Sequence, residues 1–118
     1  DMECIFIKLS LRNTHWLLLG GKNPQKNRIS YFLNNIGNQL DRYLSKYDNL
    51  LLLGDFNSAV TENEMSEFCE TYNLHNLIKG FTCYKNPNNP SSIDVILTTH
   101  KKMFCYSIIV ETGLPIID

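Results

Sequence analysis

The chain has 118 residues, 43% hydrophobic and 19% charged, with 11 Lys and Arg against 12 Asp and Glu for a net charge of -1. That is sequence for one globular domain; it excludes a disordered chain, a strongly basic nucleic-acid coat and an acidic tail. No apolar run approaches the roughly 18 residues of a membrane span, and the opening DMECIFIKLS carries acids where a secretory leader is basic, so a protein neither secreted nor membrane-spanning is expected.

In chain order, ECIFIKL at 3–9 alternates as a strand does, with Ile5, Ile7 and Leu9 on one face. Arg12-Asn13-Thr14 reads as a turn and HWLLL at 15–19 as a second strand closed by Gly20-Gly21, so a hairpin is predicted. KNPQKN at 22–27 is a polar loop. The helical spacing of Ile29, Phe32, Leu33, Ile36, Leu40, Tyr43, Leu44 and Tyr47 predicts a helix over 28–47, with Asn27 as its N-cap, Gly37 as a weak point and Asp48-Asn49 as its end. Leu50–Leu53 is continuously apolar, the mark of a strand buried on both faces.

Thr61 and Glu64 fit a capping box for a short helix to about Tyr72, with Met65, Phe68, Cys69 and Tyr72 inward. Leu74–Ile78 and FTCY at 81–84 read as short extended segments, NPNNPSS at 86–92 as a loop, IDVILT at 93–98 as a strand, His100-Lys101-Lys102 as a basic turn and Phe104–Val110 as a last strand. The order predicts an α/β sandwich with a mixed sheet in a single domain, or part of one, over 1–118. With 14 Asn against six Gly, turns are expected to lean on Asn, which tolerates left-handed backbone. Cys4, Cys69, Cys83 and Cys105 form no CxxC pair, and His15, His75 and His100 stand at no ligand spacing. Buried reduced thiols and unligated histidines are therefore expected.

Two acids stand out. Asp55 and Asn57 follow directly on the apolar LLLL strand, and open α/β sheets bind ligands beyond the carboxyl ends of their strands. Two apart on an extended segment, they point to the same side, with Phe56 turned back into the core. Asp can orient or deprotonate a water and Asn can donate to an anionic oxygen; the same pair also suits a simple turn. Asp94 lies in the otherwise apolar SSIDVIL. It is either paired there, as an Asp that holds a histidine is, or solvated at the strand's first residue.

Together, LLLLGDFNS followed by FTCYKNPNNPSSIDVILT resembles the endonuclease/exonuclease/phosphatase superfamily, most closely the apurinic-endonuclease-type domain of non-LTR retrotransposons. The helix and strand ISYFLNNIGNQLDRYLSKYDNLLLLGDFNS and the VETGL at 110–114 look like the segments around them in that family. The resemblance implies a four-layer, DNase I-like α/β sandwich of two facing mixed sheets, of which 1–118 is a part. It implies Mg2+-dependent hydrolysis of DNA phosphodiesters by an activated water. Carried over, Asp55 positions or deprotonates that water, Asn57 holds it or a phosphate oxygen, Asp94 orients a catalytic histidine, and Thr82 and Ser91 contact the phosphate region. Magnesium, which suits carboxylate and phosphate oxygens, is the implied cofactor, DNA the implied partner, and nucleus or cytoplasm the implied location.

The departures from that pattern are large. The family's early Asn and metal-binding Glu have no match, since Glu3 is out of position; Lys22 in GGKNP replaces a Tyr; and TGL is followed by PIID in place of a Ser-Asp-His. The metal ligands are therefore not identified, and residues that act as a unit are lost together. The expectation is a fragment of a Mg-dependent DNA endonuclease with little or no activity as it stands. The alternative is a non-catalytic remnant that binds nucleic acid weakly through Lys22, Lys26 and Arg28, its near-neutral charge opposing tight binding. A small nucleotide binder is disfavoured by the lack of a GxGxxG or GxxxxGK loop.

Overall fold

The structure is a computed structural model that describes residues 3–11, 13–24, 28–47, 49–58 and 60–104. Strand β1 (Glu3–Leu11) turns back as β2 (Thr14–Lys22). Helix α1 (Ile29–Tyr43) crosses to β3 (Asn49–Asp55); helix α2 (Asn63–Thr71), the two-residue β4 (His75–Asn76), β5 (Asp94–Thr98) and a 3-10 turn (Lys101–Met103) follow. The five strands form one mixed sheet in the order β1-β2-β3-β5-β4. Only β2 and β3 are parallel, because a helix separates them and a parallel pair needs a crossover of that length.

The predicted hairpin is present, with Asn13 in the left-handed region at φ 68°. Among the described residues, the three non-glycine residues with positive φ are all asparagines, Asn13, Asn57 and Asn73. Helix α1 buries Phe32, Leu33, Ile36 and Leu40, the face its spacing predicts, against Leu17 and Leu19 of β2 and Leu50 and Leu52 of β3. It is shorter than expected at both ends. Its N-cap is Arg28, without a side-chain bond, and Asn27 and Asp48 lie outside the described residues. Asn49 instead opens β3, its Nδ2 donating to the His15 carbonyl at 3.1 Å, which ties β3 to β2 at the start of their pairing.

The capping box does not form. The N-cap of α2 is Glu62, without a side-chain bond, so Thr61 stays outside the helix. Met65 and Phe68 are buried, and Cys69 and Tyr72 pack against the same core. FTCY forms no strand, only a bridge between Cys83 and Ser91. Of the expected last strand only Phe104 is described, and it is not in a strand. Cys4, Cys69 and Cys83 are free thiols, each half-buried; burial pushes the Cys4 and Cys69 thiols up from their usual pKa.

The apolar run of β3 is buried on one face only. Leu50 and Leu52 are fully buried, whereas Leu53 is exposed. The register extends this division across the sheet: Ile5, Ile7 and Leu9 of β1, Leu18 of β2 and Ile96 of β5 share the face of Leu51 and Leu53. On that face Ile5 is 68% and Ile7 52% exposed. Both helices pack on the other side, so the described residues build one sheet and one helical layer; the opposite face is open around Ile5, Ile7 and Leu53, while its Trp16 end is covered by His100 and Phe104.

Candidate functional site

Asp55 ends β3, Lys22 ends the parallel β2, and Asp94 begins the antiparallel β5. Lys22 is the register partner of Asp55, and Asp55 is the partner of Asp94. One row across three strands thus reads Lys22, Asp55, Asp94, on the open face at the carboxyl end of the parallel pair. Directly opposed residues stand about 4.5–5.5 Å apart at Cβ, and like charges there cost stability. Two opposed acids with a lysine on one flank can attract a cation or polarise a water.

The backbone reaches this arrangement through a close approach. A Cβ on Gly54 would lie 1.8 Å from the Gly21 carbonyl oxygen, so the β2 and β3 backbones come together at Gly21 and Gly54 as only glycine allows. Beyond it the strand stops. Phe56 turns inward, fully buried, and its ring meets Phe32 edge-on at 5.0 Å. Its N–H donates to the Ile93 carbonyl at 3.0 Å, which binds the turn to the start of β5.

Asn57 is not extended, which corrects the expected side-by-side pair. Its φ is 53°, its backbone N–H donates to Asp55 Oδ1 at 3.0 Å, and its Nδ2 donates to the Asn23 carbonyl. The physical reason is the Asx turn: a short acid captures the N–H two residues on and bends the chain. Asp55 is thereby oriented by its own turn, and one N–H of the Asn57 side-chain amide is engaged by the Asn23 carbonyl.

Thr82 sits beneath Asp94. Its Oγ1 accepts from the N–H of Ile93 at 3.2 Å and of Asp94 at 3.1 Å. Ser91 exchanges backbone bonds with Cys83 at 2.9 Å in each direction. At the same end of the sheet lies a cleft of about 500 Å³ whose lining includes Asn23, Ile29, Asn57, Glu62, Lys85 and Ser91, while Lys22, Asp55 and Asp94 do not line it. The structure therefore brings Asp55, Asn57, Asp94, Thr82 and Ser91 to one end of the sheet. The three histidines stand at the other end. His15 precedes Trp16, which pairs with the first residue of β3, His75 pairs with Thr98, and His100 follows β5. Strand length alone sets roughly 13 Å between Leu51, opposite Thr98, and Asp55.

In the sequence Asn23 stands out only as the Asn of the Asn-Pro in GGKNP, and its residue type there assigns it no role. It is 2% exposed. Its N–H donates to the Asp55 carbonyl at 2.9 Å, and its Nδ2 donates to the Phe56 carbonyl at 3.1 Å. Its Oδ1 is buried without a partner, which costs about 1–3 kcal/mol. The signal in the sequence is the Asn-Pro pair itself, since the residue before a proline is held extended.

Among the described residues no group of three or more His, Cys, Asp and Glu could hold a metal ion. Magnesium is commonly held by one or two carboxylates with waters filling its octahedron, and the oxygens of Asp55 and Asp94 are donors of that kind.

No protein-family model matches the chain, and no curated protein matches it by sequence. Solved structures do match in fold. The endonuclease domain of TRAS1, a telomere-specific non-LTR retrotransposon, aligns at TM-score 0.63 and 16% identity over 87% of this chain and 55% of that one. An endonuclease/exonuclease/phosphatase family protein from Bacteroides thetaiotaomicron aligns at TM-score 0.62 and 14% identity, over 83% and 41%. A Staphylococcus aureus beta toxin mutant with bound magnesium ions aligns at TM-score 0.61 and 13% identity, over 81% and 41%. The chain has the mixed α/β fold of DNase I-like proteins. The neighbours that define it are endonuclease/exonuclease/phosphatase proteins, a retrotransposon endonuclease domain among them, and the chain spans about half their length.

Proposed function

We propose that the row at the sheet's end is part of a magnesium-dependent site for phosphodiester hydrolysis, acting on DNA as a retrotransposon-type endonuclease does. The observation that carries this is the juxtaposition of Asp55 and Asp94 as opposed residues at the carboxyl end of the parallel pair, inside the DNase I-like fold. Asp55, held by its Asx turn, orients or deprotonates the attacking water. Asp94, held from below by Thr82, is the second acid. A magnesium ion held by these carboxylates would offset the charge that develops on phosphate. Ser91, Asn57 and Lys85 border the cleft into which the strand would extend, and Lys22 stands at the flank to meet a phosphate.

The described histidines stand far from Asp94 and none of them serves as its partner, and we propose that turnover by these residues alone is low. The same reading gives a protein of the nucleus or cytoplasm. No described helix is long and apolar enough to cross a membrane.

The test is nicking of supercoiled plasmid by the purified chain over long incubation with Mg2+, beside calorimetric titration with Mg2+. Slow nicking that Asp55→Ala abolishes supports the reading. Nicking that persists undiminished in Asp55→Ala overturns it. Salt-sensitive DNA binding with neither nicking nor Mg2+ uptake favours the second reading, a non-catalytic remnant that binds nucleic acid weakly through Lys22 and Arg28.

A further inference from the structure

We propose that Asn23 is the positioning residue of this site: it clamps the Asp55–Phe56–Asn57 turn and so sets the direction of the Asp55 carboxylate. This rests on the reading of Asp55 as the hydrolytic acid.

Asn23 bonds to three consecutive residues of that turn through three different groups. Its N–H holds the Asp55 carbonyl, its Nδ2 holds the Phe56 carbonyl, and its own carbonyl takes the Nδ2 of Asn57. The partners are more than 30 positions away in the chain, so the clamp exists only once β2 and β3 are paired. Gly21 and Gly54 make that pairing close, and Lys22 lies between Gly21 and Asn23. GGKN and GDFN thus form one cross-strand unit rather than two separate turns.

The donor end of the Asn23 amide does the holding. Its Oδ1 makes no bond although the side chain is buried, so packing alone does not account for an amide here; an apolar side chain would avoid an unpaired acceptor. What an amide supplies is the N–H aimed at the Phe56 carbonyl. Phe56 in turn fixes the spacing between Asp55 and Asn57, whose N–H reaches back to Asp55 Oδ1. Losing the clamp frees the turn, and the carboxylate with it, while the sheet register is kept by the ladder.

The test compares the wild type with Asn23→Ala, Asn23→Asp and, as a control for stability alone, Leu74→Ala, a core change beside α2 and β4. Asn23→Asp keeps shape and oxygen but replaces the donor by an acceptor. Two readouts are taken: saturation kinetics of nicking with Mg2+, and hydrogen exchange of single amides. The expected result is a fall in kcat of about 10²-fold in both Asn23 variants, the scale of a misplacement of about 1 Å, with KM within about threefold. The Asn57 N–H exchanges at least about 10-fold faster, while Leu52 changes no more than in Leu74→Ala.

A kcat no lower than that of Leu74→Ala, or Asn57 exchange that follows Leu52 uniformly, overturns the proposal. If the wild type does not nick at all, the functional reading has failed, and the Asn57 exchange by itself decides whether Asn23 holds the turn. If Asn23→Ala does not fold, Asn23→Ser, too short to reach the Phe56 carbonyl, gives the same comparison.

Discussion

Tyr72 shows how one side chain ties the two helices. Its hydroxyl donates to Asp41 Oδ1 at 2.9 Å and lies 3.2 Å from the Gly37 carbonyl. A Cβ on Gly37 would stand 2.9 Å from that hydroxyl, so the glycine that weakens α1 on propensity grounds makes room for the link. Burial first, then the hydrogen bond and the charge of Asp41, push the Tyr72 phenol up to about 12. The unfolded phenol ionises near 10, so this contribution is whole below about pH 10 and is lost as pH rises through about 12. Urea midpoints across that window should fall more steeply for the wild type than for Tyr72→Phe; parallel curves would sink the argument.

At the scale of elements, the site depends on how β2 meets β3. The two are joined by α1, whose core face is set by residues in its own sequence, yet their separation is set by a pair of glycines 33 positions apart. Gly54→Ala places a methyl carbon inside the Gly21 carbonyl, at a backbone φ of 153°. It should destabilise the fold by about 3 kcal/mol or more, since backbone cannot yield as a flexible side chain does. Urea unfolding measures this, and a loss below about 0.5 kcal/mol would show that the strands are not held so closely. The helix face and the strands β1, β2, β3 and β5 were legible from the apolar pattern, whereas FTCY forms only the Cys83–Ser91 bridge. The start of α1 and the capping box were not legible, because a cap needs one side chain at one geometry, and no described side chain caps α1 or α2.

For the whole molecule, the open sheet face governs behaviour. Ile5, Ile7, Leu9 and Leu53 are exposed on it, together a contiguous apolar surface of the kind that drives association. Lys22, Asp55 and Asp94 stand at the end of the same face, so whatever covers it also borders the site. The doubly substituted Ile5→Lys/Ile7→Lys chain should bind less apolar dye and scatter less light at equal concentration. Its stability should stay within about 1 kcal/mol of wild type, as expected for exposed positions. Unchanged association in that variant would mean that this face is not the adhesive one.

The sequence by itself determined the α/β class, the hairpin and the inward face of α1, because periodicity is local, and its resemblance to a known superfamily joined GDFN and SSID into one functional hypothesis. It also placed Phe56 correctly in the core. Tertiary structure alone decided that Asp55 and Asp94 oppose each other, that Asn57 turns away into an Asx turn, that the LLLL strand is covered on one side, and that Asn23 holds the turn. Each of these rests on strand register or on contacts between residues tens of positions apart, and no local pattern encodes which residue of one strand will face which residue of another.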